Sequence, residues 1–347
     1  MIPTRQQLFQ ELFPNEPSYR WKQALKGLFS QAQGWQEMTA FPLLSREELE
    51  KEIPWMSVHA TTVLKTKDEQ AVKAVLQLAD NLVIESVLMS NARSAWTICI
   101  SSQVGCAMRC AFCATGAMGL KRQLTQDEIV DQYRFWQQHL REEQIPGRIS
   151  NIVVMGMGEP MANYENVRDA LSLLCEYTDV GPTKITVSTV GVFSSLDRLL
   201  IDPLWPPVRL AISLHSVDPL VRPRIMPSTP HDFFDHLRTW AKKYLEEQGN
   251  RTHHLTFEYI LLSEINDREE DARRLIGYIR SIDPYHIRVN LIPYNQAQGD
   301  LKSSTEQQRD AFWRLLKGSG IQTTTRLSFG DEISAACGQL AGEEEED

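Results

Sequence analysis

The chain has 347 residues, of which 42% are hydrophobic and 23% are charged, and its formal net charge at pH 7 is −9. This composition excludes a disordered or fibrous protein, and no apolar run approaches the roughly 20 residues of a membrane-spanning helix. The negative charge argues against indiscriminate binding to a polyanion, because phosphate contacts need local Lys and Arg. The N-terminus lacks the apolar core and cleavage site of a secretory signal, so we expect a cytoplasmic protein.

The two ends of the chain differ from its middle. Across residues 1–60, apolar side chains such as Leu8 and Leu12 recur at helical spacing, which predicts a small helical domain of short pieces divided by prolines. Residues 61–94 contain β-like runs and form a predicted β-rich connector. Residues 341–347 end in a run of acidic side chains, and the repulsion between them predicts a disordered tail.

Strand-like and helical patterns alternate through residues 95–340. Repeated βα units imply a parallel sheet covered by helices, as a full or partial barrel or as an open doubly wound sheet. Thr125 and Glu128 form a predicted capping box at the start of one helix. The predicted strands are 96–101, 149–155, 184–189, 208–214, 255–262, 286–292 and 322–327. The predicted helices are 127–140, 164–177, 233–247, 268–282 and 306–317.

Three of the six cysteines form a tight group. Cys106, Cys110 and Cys113 have the spacing C-x3-C-x2-C, in a loop that follows the predicted strand 96–101. Such clustering in a cytoplasmic chain indicates a metal site rather than disulfides. Structural zinc would need a fourth Cys or His, and none is nearby, whereas three thiolates on a [4Fe–4S] cluster leave one iron open for a ligand. The spacing therefore favours a catalytic cluster over zinc or a plain electron carrier.

The cysteine loop, with Phe112 before its last cysteine, resembles the signature of radical S-adenosylmethionine (SAM) enzymes. Further segments resemble, in the same order, the RlmN/Cfr family of radical SAM RNA methyltransferases. The resemblance implies an α/β fold, a partial (βα)6 TIM-like radical SAM barrel with a small N-terminal helical domain, and as cofactors a [4Fe–4S] cluster on the three cysteines and SAM. The segments are 99–116, 155–167, 187–191, 210–216, 289–295 and 330–340.

The resemblance also implies roles for residues outside the cluster. Cys337 matches the methyl-carrying cysteine of the family and Cys99 matches its resolving partner, and a Cys99–Cys337 disulfide would form as the methylated base is released. Glu85 matches the position of an acid/base. Without the resemblance, either cysteine would be interpreted as a buried packing residue, and Cys175 keeps that interpretation.

SAM contacts are expected where the barrel strands end. Gly158 and Glu159 follow a strand, where glycine lets the backbone approach a ligand and the carboxylate can pair with the ammonium group of SAM. A buried structural role for His215 stays open as an alternative to ligand binding. The other contacts that the resemblance implies are Ser188, Ser213, Leu214, His215 and Asn295.

The implied substrate is an adenine in unpaired RNA, because a base inside a helix cannot reach a pocket. The methyl group would go to carbon C2 or C8 of an adenine in rRNA, with tRNA as a second substrate, and residues 1–60 would bind the RNA. The choice of carbon stays open, because MGMGEP is RlmN-like while GLKRQLTQDEI and Ser328-Phe329-Gly330 are Cfr-like. An electron donor such as flavodoxin and a monomeric state are also implied.

Two rival functions stay open on the sequence. The first is a different radical SAM enzyme, such as an activase or a peptide-modifying enzyme, and the second is a non-enzymatic metal-binding RNA adaptor. The local basic residues Lys121, Arg122, Arg222 and Arg224 are each expected on a solvated surface.

Overall fold

Short helices begin the chain, as predicted. The computed structural model describes residues 2–91, 95–248, 254–295, 300–326, 333–335 and 338–341. Pro17 and Pro42 directly precede the second and third helices, because proline tolerates a helix start but not a helix interior. These helices share a core of their own that includes Phe9 and Trp35. The helices are α1 (Arg5–Leu12), α2 (Ser18–Leu28) and α3 (Leu43–Glu52).

Twelve strands follow within the described residues, and ten of them form one sheet. The first ten in chain order are β1 (Val58–Lys65), β2 (Ala71–Leu78), β3 (Val83–Asn91), β4 (Ala95–Cys99), β5 (Gln103–Gly105), β6 (Leu120–Gln123), β7 (Ile149–Val154), β8 (Ile185–Thr189), β9 (Arg209–Ser213) and β10 (Leu255–Leu261). The last two are β11 (Ile287–Pro293) and β12 (Gln322–Thr325). Strands β5 and β6 pair only with each other and lead into and out of the cysteine loop.

The large sheet has two parts. Strands β1 to β4 pair antiparallel, whereas β4, β7, β8, β9, β10, β11 and β12 pair parallel in that order. Strands β1 and β12 lie at opposite edges, and the described parts of these two strands do not pair, so the sheet stays open. The α/β class, the parallel sheet and the N-terminal helices are confirmed. All seven strands predicted in residues 95–340 are present as parallel strands, one more than the six of a (βα)6 barrel.

Helices cover the parallel part of the sheet. Helix 164–177 occurs as predicted, and the other predicted helices match within two residues at each end. The capping box is present, since Glu128 N donates to Thr125 Oγ1 (3.2 Å) and Thr125 N donates to Glu128 Oε2 (2.8 Å). In the described part of the chain, no helix is long and apolar enough to cross a membrane. The helices are α4 (Ala114–Ala117), α5 (Gln126–Glu142), α6 (Tyr164–Tyr177), α7 (Phe193–Leu199), α8 (Arg222–Ile225), α9 (Phe233–Gln248), α10 (Glu269–Arg280) and α11 (Glu306–Gly318).

A buried charge cluster joins the N-terminal helices to α5. Asp131 accepts hydrogen bonds from Arg134 Nη1 (2.6 Å) and Ser57 Oγ (2.7 Å) and forms an ion pair with Arg5. Asp127 accepts a hydrogen bond from Arg5 N (2.6 Å). Burial by itself would raise the pKa of Asp131, but Arg5 and Arg134 outweigh that effect and lower the pKa to about 2. These five residues are called the Asp131 cluster below.

Candidate active site

The three clustered cysteines line one cavity at the carboxyl ends of the parallel strands. The empty space in and around this cavity measures about 840 Å³, part of it open to solvent. The loop before it folds tightly, because Gly105 has a φ of +75° and a Cβ there would lie 1.9 Å from the carbonyl oxygen of Gly119. This turn lets Cys106 N donate to Gly119 O (3.1 Å). The space is called the cysteine cavity below, and its lining includes Cys106, Cys110, Cys113, Glu159, Ser188 and Ser213.

The chemistry of these thiols fits a metal cluster. Burial, together with the nearby charges of Glu159 and Cys113, raises the pKa of Cys106 to about 12. Burial also raises the pKa of Cys110, together with the charges of Cys113 and Cys106. Within the described residues no three His, Cys, Asp or Glu side chains are placed to hold a single metal ion. A four-iron cluster does not require the three thiolates to meet at a single metal ion, because each thiolate binds a different iron. The positive charge of the bound iron offsets the mutual repulsion of the thiolates.

The loop after β7 brings a carboxylate to the cavity. Gly158 has a φ of +103°, and a Cβ there would lie 2.5 Å from Gln103 Cβ, so only glycine fits. Glu159 is 2% exposed and accepts hydrogen bonds from Val190 N (2.8 Å) and Met161 N (2.9 Å). Burial raises the pKa of Glu159 in spite of these hydrogen bonds. The structure thus places both predicted residues in the cavity wall.

Strands β8 and β9 contribute hydroxyl groups. Ser188 Oγ and Ser213 Oγ lie 3.3 Å apart, and both residues line the cavity. The side chain of Leu214 instead belongs to the main apolar core, and neither Leu214 nor Asn295 is among the residues of the cavity wall. Leu214 points away from the cavity because successive side chains along an extended chain point to opposite sides.

His215 lines the cavity and also has a structural contact. Its Nδ1 accepts a hydrogen bond from Ile260 N (3.0 Å), and its ring packs edge-on against Phe112, with 4.8 Å between ring centroids. Burial, helped by the charge of Arg222, lowers the pKa of His215 to about 3. The imidazole is therefore neutral at pH 7, and both interpretations made from the sequence are compatible with its position.

Two charged residues of the site were missed or misassigned by the sequence reasoning. Glu258 on β10 lines the cavity, accepts a hydrogen bond from Asn290 Nδ2 (2.8 Å), and has a pKa raised by burial. Its signal was a single charge within the apolar run LTFEYIL. Arg222 is not on a solvated surface as expected, because it is 1% exposed and donates to Val190 O (2.8 Å) and Ser213 O (3.1 Å).

The predicted proton-handling residues lie outside the cavity wall. Glu85 is 2% exposed on β3, and its carboxylate accepts a hydrogen bond from Ala341 N (3.2 Å). Cys99 is buried on β4, opposite Val87 of β3. Neither side chain is among the cavity-lining residues. The structure therefore brings Glu85 to the C-terminal segment rather than to the three cysteines.

Cys337 lies outside the described residues, so the structure gives no position for it. The residue after it, Gly338, lines the cysteine cavity, and Gly338 O accepts a hydrogen bond from Ala114 N (2.7 Å). No disulfide joins any two of the five cysteines in the described ranges. The disulfide implied by the resemblance is not supported by this structure, which gives no position for Cys337. A bond formed only during turnover would not be present in a resting chain.

The fold and the three-cysteine cavity define a radical SAM enzyme. The Radical SAM superfamily matches residues 100–276 of the chain. The crystal structure of a radical SAM methyltransferase from Sphaerobacter thermophilus is similar with a TM-score of 0.88 and 34% identity, and the match covers 98% of both chains. The superfamily implies a [4Fe–4S] cluster and SAM, for which the donor set of the cavity is suited.

Curated relatives narrow this class. The dual-specificity RNA methyltransferase RlmN of Desulfotalea psychrophila is 37% identical over 338 residues, which cover 95% of this chain and 90% of the relative. A probable dual-specificity RNA methyltransferase RlmN of Dictyoglomus turgidum is 37% identical over 334 residues, or 94% of this chain and 91% of the relative. The chain therefore belongs to the RlmN family of radical SAM RNA methyltransferases. This membership sets aside the activase, peptide-modifying and adaptor alternatives.

Proposed function

We propose that this enzyme methylates an adenine carbon, C2 or C8, in rRNA, with tRNA as a second substrate, and that Cys337 carries the methyl group. These carbons are electron-poor and cannot attack the methyl group of SAM as nucleophiles, so a carrier and a radical route are needed. The dual-specificity RNA methyltransferase name of the relatives supports an RNA substrate. The observation that carries the proposal is the docking of Gly338, the neighbour of Cys337, in the wall of the cysteine cavity.

The cavity residues divide the work of binding. Cys106, Cys110 and Cys113 would hold the cluster, which when bound supplies the electron that cleaves SAM. Glu159 would pair with the ammonium group of SAM, since a buried carboxylate with a raised pKa regains its charge beside a cation. Ser188 with Ser213 and the neutral ring of His215 complete the proposed contacts, together with Gly158, which lets the ligand approach the backbone. Leu214 and Asn295 are left out, because they do not line the cavity.

Two residues are proposed to handle protons. Cys99 would take the proton from the substituted carbon of the adenine and, after losing it again, attack the sulfur of Cys337 as a thiolate. The S–S bond would form as the bond between that sulfur and the methylene carbon breaks, and the carbon would take up a proton to become the methyl group of the released product. Glu85 would act as an acid/base near the C-terminal segment, which its contact with Ala341 supports. A thiol and a carboxylate of this kind are ordinary proton acceptors in catalysis.

Nucleoside mass spectrometry tests the proposal. rRNA and tRNA adenosines are compared between cells with and without the gene. We expect 2-methyladenosine or 8-methyladenosine to disappear from rRNA when the gene is deleted and to return with the wild-type gene but not with a Cys337→Ala variant. Unchanged levels of both nucleosides in both RNA pools would contradict the proposal.

The remaining expectations are proposals that accompany this function. We propose an RNA-binding domain at residues 1–60, a connector at 61–94, a barrel at 95–340 and an acidic tail at 341–347. The separate core of the first helices supports the first of these boundaries. An electron donor such as flavodoxin, a monomeric enzyme and a cytoplasmic location complete the proposal.

A further inference from the structure

A buried ion pair lies beside the cysteine cavity rather than in it. Lys73 Nζ of β2 and Glu85 Oε1 of β3 are 3.3 Å apart, with side chains only 4% and 2% exposed. Strand pairing places Lys73 opposite Val87, and Val87 opposite Cys99. Directly opposed residues share one face of a sheet, and Glu85 shares it too because it is two residues from Val87. Lys73, Glu85 and Cys99 therefore lie on the same face.

The C-terminal segment, residues 338–341, connects the cysteine loop to this pair. At one end Ala114 N donates to Gly338 O (2.7 Å), and Thr115 Oγ1 donates to Leu340 O (2.5 Å). At the other end Ala341 N donates to Glu85 Oε2 (3.2 Å). The side chain of Leu340 is 5% exposed and belongs to the main core. The segment is therefore held at both of its ends.

The charge on Glu85 sets the strength of the second contact. A hydrogen bond to an ionised carboxylate is roughly twice as strong as one to a neutral acceptor. A carboxylate buried this deeply needs a counter-charge, which Lys73 supplies through its 3.3 Å contact. Buried ion pairs add little net stability compared with apolar residues of the same volume. The presence of the Lys73–Glu85 pair is therefore explained better by its contact with residues 338–341 than by a contribution to fold stability.

We propose that the Lys73–Glu85 pair is a latch that holds residues 338–341, and with them the chain next to Cys337, at the edge of the cysteine cavity. The inference rests on the proposed function for the role of Cys337 as methyl carrier. Lys73 is a positioning residue, because it acts through Glu85. Glu85 gains a second task besides proton transfer, that of accepting the Ala341 amide.

Hydrogen exchange on the full chain tests the latch without relying on activity. We expect Lys73→Met to speed exchange of the amides in the peptide that covers 338–341 by about tenfold or more, while peptides of β10 stay unchanged. Ala341→Pro should do the same, because it removes the donor without touching the sheet. The controls are Lys65→Met, which breaks the exposed Lys65–Glu143 pair, and Ala341→Ser, which keeps the donor. Both controls should match the wild type.

A second variant covers the case in which Lys73→Met fails to fold. Lys73→Met with Glu85→Leu replaces the pair by apolar groups, so the sheet stays packed while the acceptor is lost. This folded double variant should show the same faster exchange in 338–341. Unchanged exchange there and in Ala341→Pro would overturn the latch.

Measuring SAM binding and methylation of Cys337 separately distinguishes positioning of the C-terminal segment from general support of the fold. In Ala341→Pro we expect SAM to bind as tightly as in the wild type, within about twofold, while methylation of the Cys337 thiol slows by about tenfold. An equal loss of both would overturn the positioning role. If Cys337 of the wild type is never methylated, the proposed function fails, whereas the exchange result still decides the latch.

Discussion

Two buried sets of charges in this chain are built in opposite ways. In the Asp131 cluster, two arginines face two aspartates, and the pKa of Asp131 is lowered to about 2 because the arginines outweigh the effect of burial. In the cysteine cavity, the donors that Glu159 receives from the described residues are neutral, namely Val190 N, Met161 N and the Thr189 side chain, and burial raises its pKa. In the first set, the negative charges are neutralised by arginines of the protein. In the second set, the ionised form of Glu159 would be stabilised by a bound cation.

This difference separates structural charges from binding charges. A balanced buried cluster holds elements together, and removing one partner leaves the others uncompensated. A carboxylate with a raised pKa in a cavity is a typical feature of a ligand site. We therefore expect changes in the Asp131 cluster to lower stability without affecting SAM binding, and changes at Glu159 to weaken SAM binding without destabilising the fold.

The largest effect is expected from Asp131→Asn. This change leaves Arg5 and Arg134 short of a counter-ion in a buried position, so the free energy of unfolding should fall by about 3–5 kcal/mol. Urea unfolding measures it, and the affinity for SAM should not change. Asp169→Asn is the matched control, because Asp169 pairs with Arg168 and its side chain is 44% exposed; its effect should stay within about 1 kcal/mol. Equal effects of the two variants would break the comparison.

A smaller effect is expected from Glu159→Gln. Loss of a charged hydrogen-bonding partner should weaken SAM binding by about tenfold or more, as measured by calorimetry on the anaerobic holoenzyme. The free energy of unfolding should stay the same or rise, because an uncharged amide is easier to bury than a carboxylate. Glu165→Gln is the control, since Glu165 is exposed and pairs with Arg198. Weaker SAM binding in the control, or a large loss of stability in Glu159→Gln, would contradict this assignment.

A third prediction concerns the stability of the fold at acid pH. The pKa of Asp131 is lowered from 3.8 to about 2, so its contribution to stability is complete above the unfolded value and is lost as the pH falls from about 4 to about 2. Asp127 beside it has a pKa raised by burial and acts in the opposite direction. The difference in unfolding free energy between the wild type and Asp131→Asn isolates Asp131, and this difference should shrink over that range. A difference that stays constant from pH 5 to pH 2 would show that the charge of Asp131 does not stabilise the fold.

Features that depend on local sequence patterns were predicted better than features that depend on long-range contacts. The spacing of Cys106, Cys110 and Cys113 and the capping box at Thr125 depend on residues within one turn or loop. The structure forms the capping box as predicted and places the three cysteines in the wall of one cavity. The burial of Arg222 depends on carbonyl groups of two other strand ends and on the ring of Phe233, 3.4 Å below its guanidinium. No spacing rule could reveal that packing.

Two other features of the structure were not predicted from the sequence. Strands β5 and β6 have only three and four residues, too few for a periodic pattern to show. Lys73 lies in the mainly apolar run AVKAVLQL, and only the pairing of β2 with β3 reveals its partner Glu85. The sequence did carry one signal for Lys73 and for Glu258, since each is a lone charged residue in a mainly apolar strand.

The most direct measurement of the central claim is mass spectrometry of the peptide that carries Cys337. The reconstituted holoenzyme is incubated anaerobically with SAM and without RNA, then digested. We predict one added methyl group on Cys337 in the wild type, none in a Cys106→Ala variant that cannot hold the cluster, and none on Cys175 in either. An unmodified Cys337 in an enzyme that still methylates RNA would contradict the account.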